Sequence, residues 1–299
     1  ARDPRPFFLY VAYTAPHWPL HAPEEDVQRF QGRYRAGWDA VRTRRHETLK
    51  GLGLVNPKWP ISPRDDKAPP WESVRRQSWE DRRMAVYAAQ VHVMDRGIGR
   101  ILAKLRELGI ERDTLVMFLS DNGGCAEFLA EDFDKPDKHR YNIPTRDGRP
   151  VHVGNTHNLM PGPEGTFMSY DLPWANASNT PFRLYKHWVH EGGIATPFVV
   201  RWPAAVPRSR VVHEPAHVID IMATCLDAAG APYPAEHRGN AVAPLEGESL
   251  APAIRGDSWT REQPLFWEHE RNRAVRQGRW KLVSKHPGPW ELYDMIEDR

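Results

Sequence analysis

Between positions 79 and 124 a long amphipathic stripe runs into a short, wholly apolar segment, an order that calls for helices packed on a sheet. Met84, Tyr87, Val91, Met94, Ile98, Ile101 and Leu105 recur at alternating spacings of three and four, one continuous face of a helix over 79–108. Ser78 with Asp81 offers an N-terminal cap, and Gly109 a stop. Leu115 to Ser120 then lacks polar alternation, as expected of a strand buried on both faces. A helix feeding such a strand is half of a βαβ unit, so the expected fold is α/β with a mainly parallel sheet.

The apolar run stops on Asp121-Asn122-Gly123-Gly124. This is the carboxyl end of the strand, where open α/β sheets place their ligands. Two adjacent oxygen-bearing side chains suit a hard cation, Ca²⁺ or Mg²⁺, as part of a larger shell. The alternative is a strand followed by an Asn-Gly turn, with Asp121 bonding loop amides.

Composition narrows the partners. Lys+Arg of 41 against Asp+Glu of 39 leaves +2, no basis for nucleic acid or an anionic membrane as the main partner. No apolar stretch approaches the ~18 residues of a membrane span. Cys125 and Cys225 show neither metal-type spacing nor a disulfide framework. With 28 prolines and 12 tryptophans, the loops are expected to be long, ordered and lined with aromatics. The chain opens on Phe7 to Tyr13, a strand-like apolar run, and closes just after Trp290 to Asp294, another. An intact domain usually frays at its ends, so a fragment of a longer protein is expected.

Elsewhere, 24–35 and 37–49 read as short charged helices, and 52–77 as a Pro-rich loop. The segment 125–180 has no durable periodicity and reads as a functional loop or lid. Strand 197–202 and helix 217–229 restore the α/β rhythm. After about 257 come short strands over 265–269, 273–276, 280–284 and 291–293, an antiparallel meander. The domains expected are 1–256 and 257–299.

Three further segments hold functional side chains in constrained backbone. In Ala15-Pro16-His17-Trp18-Pro19-Leu20-His21-Ala22-Pro23 the prolines fix the path of the chain around His17, a candidate general acid or anion donor. A loop histidine bonding backbone is the plainer reading, and the one kept for His21. Lys186, between Tyr185 and Trp188 and before Gly192-Gly193, is placed to bind an oxyanion; a surface lysine lying along apolar neighbours is its plainer reading. His269, Asn272 and Arg273 form a third, weaker group. Taken together, a cation on Asp121 and Asn122 beside His17 and Lys186 suits an anionic ester, sulfate or phosphate.

These segments, in this order, resemble the sulfatase family of alkaline-phosphatase-like hydrolases, of the bacterial arylsulfatase kind. The residues that carry the likeness are Ala-Pro-His17-Trp-Pro-Leu, Tyr87 and Asp95 on the long helix, Ser-Asp121-Asn122-Gly, and Thr-Pro-Phe-Arg-x-x-Lys186 leading to Glu191-Gly192-Gly193-Ile-x-Thr-Pro. The tail from Trp-Glu-His269-Glu to Glu-Leu-Tyr-Asp completes it. The resemblance implies that Asp121 and Asn122 are Ca²⁺ ligands and that His17 and Lys186 contact the ester. Asp95 and Asp220 take structural roles. It implies a small-molecule or glycan sulfate ester as substrate and a periplasmic or secreted setting. It also implies a formylglycine nucleophile made within Cys-x-Pro-x-Arg or Ser-x-Pro-x-Arg, and no such segment occurs here. Arg271 stands where relatives commonly have glycine. The rival readings are a phosphodiesterase or phosphonate hydrolase of the same superfamily, and a non-catalytic anion- or metal-binding remnant.

Overall fold

The computed structural model describes residues 5–130, 141, 143–206 and 208–297. Part of the long loop expected over 125–180, namely 131–140 and 142, thus lies outside the described residues. The chain divides into two compact units. The first comprises residues 1–39, 67–101 and 125–174; the second comprises 40–66, 102–124 and 175–299.

The first unit is organised by the start of the helix Gln77–Glu107, which matches the periodic stripe. Its residues Asp81 to Val86 are all buried, charged ones included. Asp81 does not cap the helix as expected. Its carboxylate is wholly buried and accepts from Gln31 Nε2 (2.9 Å) and from the backbone N–H groups of Gly32 (2.8 Å) and Tyr34 (2.8 Å). An anion removed from water needs such donors, and here they fold the 31–34 loop onto the helix. Arg83 is likewise buried between Glu80 and Asp171. Beside them Trp38, Trp71 and Trp174 pack edge to face, with centroids 4.8, 5.4 and 6.0 Å apart. Each indole N–H has an acceptor: Pro69 O, Arg35 O and Glu80 Oε2 respectively.

Phe7 to Tyr13 is not a strand. The run has no regular secondary structure and pairs with no strand among the described residues, and Phe8 and Tyr10 are each 79% exposed. Apolar composition supplies strand propensity but no pairing partner, and a strand exists only through its neighbours' hydrogen bonds.

In the second unit the strand Val116–Leu119 pairs with Phe198–Arg201, from Val116↔Arg201 to Leu119↔Phe198. The pair runs antiparallel, where the helix-to-strand order predicts parallel neighbours. It is half-buried rather than buried on both faces, with Phe118 36% exposed. Parallel pairing among the described residues comprises His152–Val153 with Thr166–Phe167 and the single bridge His21↔Gly162, both in the first unit. The helix Asp220–Ala229 ends at Gly230, whose φ of 62° is the left-handed stop expected of glycine. Asp220 is buried and accepts from His217 N (2.7 Å), Glu248 N (3.0 Å) and the Arg261 guanidinium.

The carboxyl-terminal meander is present as expected: Leu265–His269, Asn272–Gln277, Trp280–Ser284 and Trp290–Asp294 form one antiparallel sheet in consecutive order. Its inner face packs Ala274, Val283, Trp267 and Tyr293 around Val189. Arg271, in the tight turn between the first two strands, has a φ of 70°, the left-handed conformation that glycine adopts most readily.

Candidate active site

The loop Ser120–Gly124 leaves the strand Val116–Leu119 and is clasped at once by the segment 179–197. Ser120 N donates to Pro197 O (3.2 Å) and Gly123 N to Gly193 O (2.9 Å), while Gly124 O accepts from Lys186 N (3.1 Å). The Asn179 side chain joins both loops: its Oδ1 accepts from Gly124 N (2.8 Å), and its Nδ2 donates to Leu184 O (2.8 Å). The backbones meet so closely that no side chain fits between them. A Cβ on Gly123 would lie 1.8 Å from Gly192 O, and one on Gly193 would lie 1.9 Å from Trp188 O. These glycines are there for close approach. Gly192 and Gly193 lie in the one-turn helix Glu191–Ile194, not in the turn expected.

This clasp brings Asp121 and Asn122 into the same local structure as Lys186. Asp121 is exposed; Asn122 and Lys186 are half-buried. Leu184 (φ 67°) and His187 (φ 97°) wind the chain left-handed on either side of Lys186. Two residues that sequence reasoning left without a role hold the arrangement. Asn179 is one. The other is Lys281, 1% exposed, whose ammonium donates to Val189 O (2.9 Å) and to Glu191 Oε1 (2.7 Å). Asn179 shows no sequence signal beyond its polarity; the Lys281–Glu191 pair joins residues 90 positions apart.

As donors, the Asp121 carboxylate and Asn122 carboxamide fit a hard cation, which takes about six to eight oxygens. They are part of such a shell only. Among the described residues, the clusters of three or more His, Cys, Asp or Glu donors do not include Asp121.

His17 is in the first unit, on an exposed bend after Thr14. Its Nδ1 lies 2.9 Å from Trp18 O, which as an acceptor puts the proton on Nδ1 and leaves Nε2 as the basic nitrogen. Gln90 of the long helix donates to Pro19 O (3.1 Å), and Leu20 N to Met168 O (2.9 Å), so the bend is anchored on both sides. Trp18 Nε1 donates to Glu127 (2.9 Å). Cys125 is buried near His17, and burial pushes its thiol above the ordinary range, away from nucleophilic thiolate. His21 meets the backbone carbonyl of Thr166 at 2.5 Å.

The fold these elements define is that of the alkaline-phosphatase-like hydrolases. The protein Ps i-CgsB, solved in complex with k-i-k-neocarrahexaose, superposes with a TM-score of 0.58 at 22% identity, covering 98% of this chain and 44% of that one. The phosphonate monoester hydrolase of Agrobacterium radiobacter does so with 0.51 at 20%, covering 99% and 52%. Within that fold the chain belongs to the sulfatase family. Residues 1–231 match the family description Sulfatase, and residues 182–299 match N-sulphoglucosamine sulphohydrolase, C-terminal. An uncharacterised sulfatase of Schizosaccharomyces pombe is 31% identical over 98% of this chain and 53% of its own length. The arylsulfatase of Klebsiella aerogenes is 32% identical over 83% and 51%. The chain thus spans about half the length of these curated relatives. No helix among the described residues is long and apolar enough to cross a membrane.

Proposed function

We propose that this chain carries part of the active site of a sulfuric ester hydrolase of the arylsulfatase kind, acting on a small-molecule or glycan sulfate ester. The observation that carries the reading is the glycine clasp, which ties the Asp121-Asn122 strand end to the Lys186 loop through main-chain bonds. Family membership supports the reaction class.

In this reading Asp121 and Asn122 hold Ca²⁺, or Mg²⁺ in its place, which when bound would neutralise charge on the sulfate oxygens. Lys186 presents its ammonium to the ester, offsetting the negative charge that grows on the bridging oxygen as the S–O bond breaks. His17, in the role the family resemblance implies, would take up a proton at Nε2 and pass it to the departing alkoxide, its Nδ1 staying on the Trp18 carbonyl. The nucleophile is a formylglycine supplied from outside these 299 residues, so the 299-residue chain alone is inactive.

Two assays test this. In the complete protein Lys186→Ala should lower kcat about 10²–10³-fold, the loss seen when one oxyanion donor is removed. A rate within a factor of two of the parent would remove Lys186 from the chemistry. Parallel assays on an aryl sulfate and an aryl phosphonate monoester should favour the sulfate; the opposite preference would assign the chain to the phosphonate hydrolases, to which its fold is also similar. Turnover of an aryl sulfate by the isolated 299 residues would overturn the external nucleophile.

A further inference from the structure

Three side chains that take no part in the bonds of the clasp converge at the hairpin turn between the first two strands of the carboxyl-terminal sheet. His269 ends the strand Leu265–His269, and its opposite number Asn272 begins the next. The two residues between them, Glu270 (φ 49°) and Arg271 (φ 70°), are both left-handed, the mark of a tight type I′ hairpin turn. His187 approaches from the 184–188 loop, held at a φ of 97°.

One buried carboxamide fixes both histidines. Asn272, 2% exposed, donates from Nδ2 to His269 O (2.9 Å) and to His187 O (3.4 Å), and its Oδ1 accepts from His286 N (3.0 Å). The side chains that result are exposed but close. His187 Nδ1 lies 2.9 Å from Glu270 Oε2, and His269 Nε2 lies 3.9 Å from Glu270 Oε1. The imidazole centroids are 5.6 Å apart, and the three donor atoms lie within 4.8 Å of one another.

We propose that His187, His269 and Glu270 form a binding site for a first-row divalent transition metal of the Zn²⁺ type, separate from the oxygen donors Asp121 and Asn122. Two imidazole nitrogens and a carboxylate are a Zn²⁺ donor set; Ca²⁺ and Mg²⁺ take oxygen instead. Zn–N and Zn–O bonds of about 2.0–2.2 Å place tetrahedral donors a little over 3 Å apart, within reach of small rotations of these exposed side chains. The metal takes the place of the proton between His187 Nδ1 and Glu270, and the neutral imidazole then carries its single proton on Nε2. Three protein donors leave the fourth position for water or an anionic ligand.

The test uses the full 299-residue chain stripped with a chelator and titrated with ZnCl₂, then CaCl₂, by calorimetry, with the visible bands of tetrahedral Co²⁺ as a spectroscopic check. Zn²⁺ should bind and displace Co²⁺, and Ca²⁺ should not compete. His269→Ala and Glu270→Gln should each weaken Zn²⁺ at least about 10–100-fold, since even loss of an outer partner of a metal ligand costs that much. His187→Asn, which tolerates the left-handed backbone, should do the same, and the Zn²⁺-dependent rise in Tm should vanish with it. Because His17, Cys125 and Glu127 also bring their donor atoms within 4.8 Å of one another, Zn²⁺ binding that survives all three substitutions undiminished would overturn the proposal. So would failure of the unsubstituted chain to bind Zn²⁺.

Discussion

At the level of single side chains, the Lys281 ammonium is almost wholly removed from water and has three compensations: the Val189 carbonyl, the Glu191 carboxylate and the face of Trp267, 5.4 Å from Nζ. Burying a cation is tolerated only with such partners, and removing one member of the pair strands the other. Lys281→Ala should therefore lower unfolding stability by about 3–5 kcal/mol, read from urea denaturation; a loss below about 1 kcal/mol would show the pair to be solvated in practice. None of this was legible in Trp280-Lys281-Leu282, which reads only as strand. The same holds for Asp81. Sequence position made it a helix cap, whereas its donors come from a loop some fifty residues away. Polar residues advertise their chemistry but not their long-range partners. Where the constraint is local, the sequence said more: Gly230 ends the helix Asp220–Ala229 in the left-handed conformation, as its place after the helical run implied.

Among the elements, the glycines of the clasp set the sharpest steric limit. Gly123→Ala would bring a methyl group 1.8 Å from a backbone oxygen, an atom with no rotamer to retreat to. The substitution should destabilise by about 2–4 kcal/mol, at or above the usual cost of overpacking. Gly51→Ala, at the end of the helix Gly37–Gly51 with no atom within 4 Å of the added Cβ, should leave Tm unchanged or raise it slightly. Equal effects at the two sites would refute the close-approach account. The long helix was readable to within two residues because its stripe repeats over seven positions. The meander was readable because its strands are local and separated by turns. The run Phe7 to Tyr13 failed because apolarity without a pairing strand does not make a sheet. The direction of the Val116–Leu119 pair failed because helix-to-strand order says nothing of a partner eighty residues on.

For the molecule as a whole, pH bears on stability through His190, which is 3% exposed with its Nδ1 unpartnered among the described residues. Burial, reinforced by the Arg183 charge, lowers its pKa to about 4, against the partial support of Glu291. The unfolded imidazole accepts a proton near pH 6.5 that the folded one refuses. This contribution is therefore complete above about 6.5 and is lost as pH falls toward 4. Tm measured from pH 7 to 4 should fall more steeply for the parent than for His190→Gln; parallel curves would dismiss the histidine as the cause. The candidate site shows a similar mixture of what could and could not be read. Asp121, Asn122 and Lys186 were picked out as candidates from local motifs, and main-chain bonds join the two loops that carry them. The atoms that gather them are amides, carbonyls and the Asn179 carboxamide, and these have no signature in a sequence beyond the glycines that make room. That division of labour has an evolutionary side. A loop whose shape is written in main-chain bonds acts as a socket with exchangeable pins. The side chains at 121 and 122 can be traded by mutation without breaking the main-chain bonds that shape the loop around them.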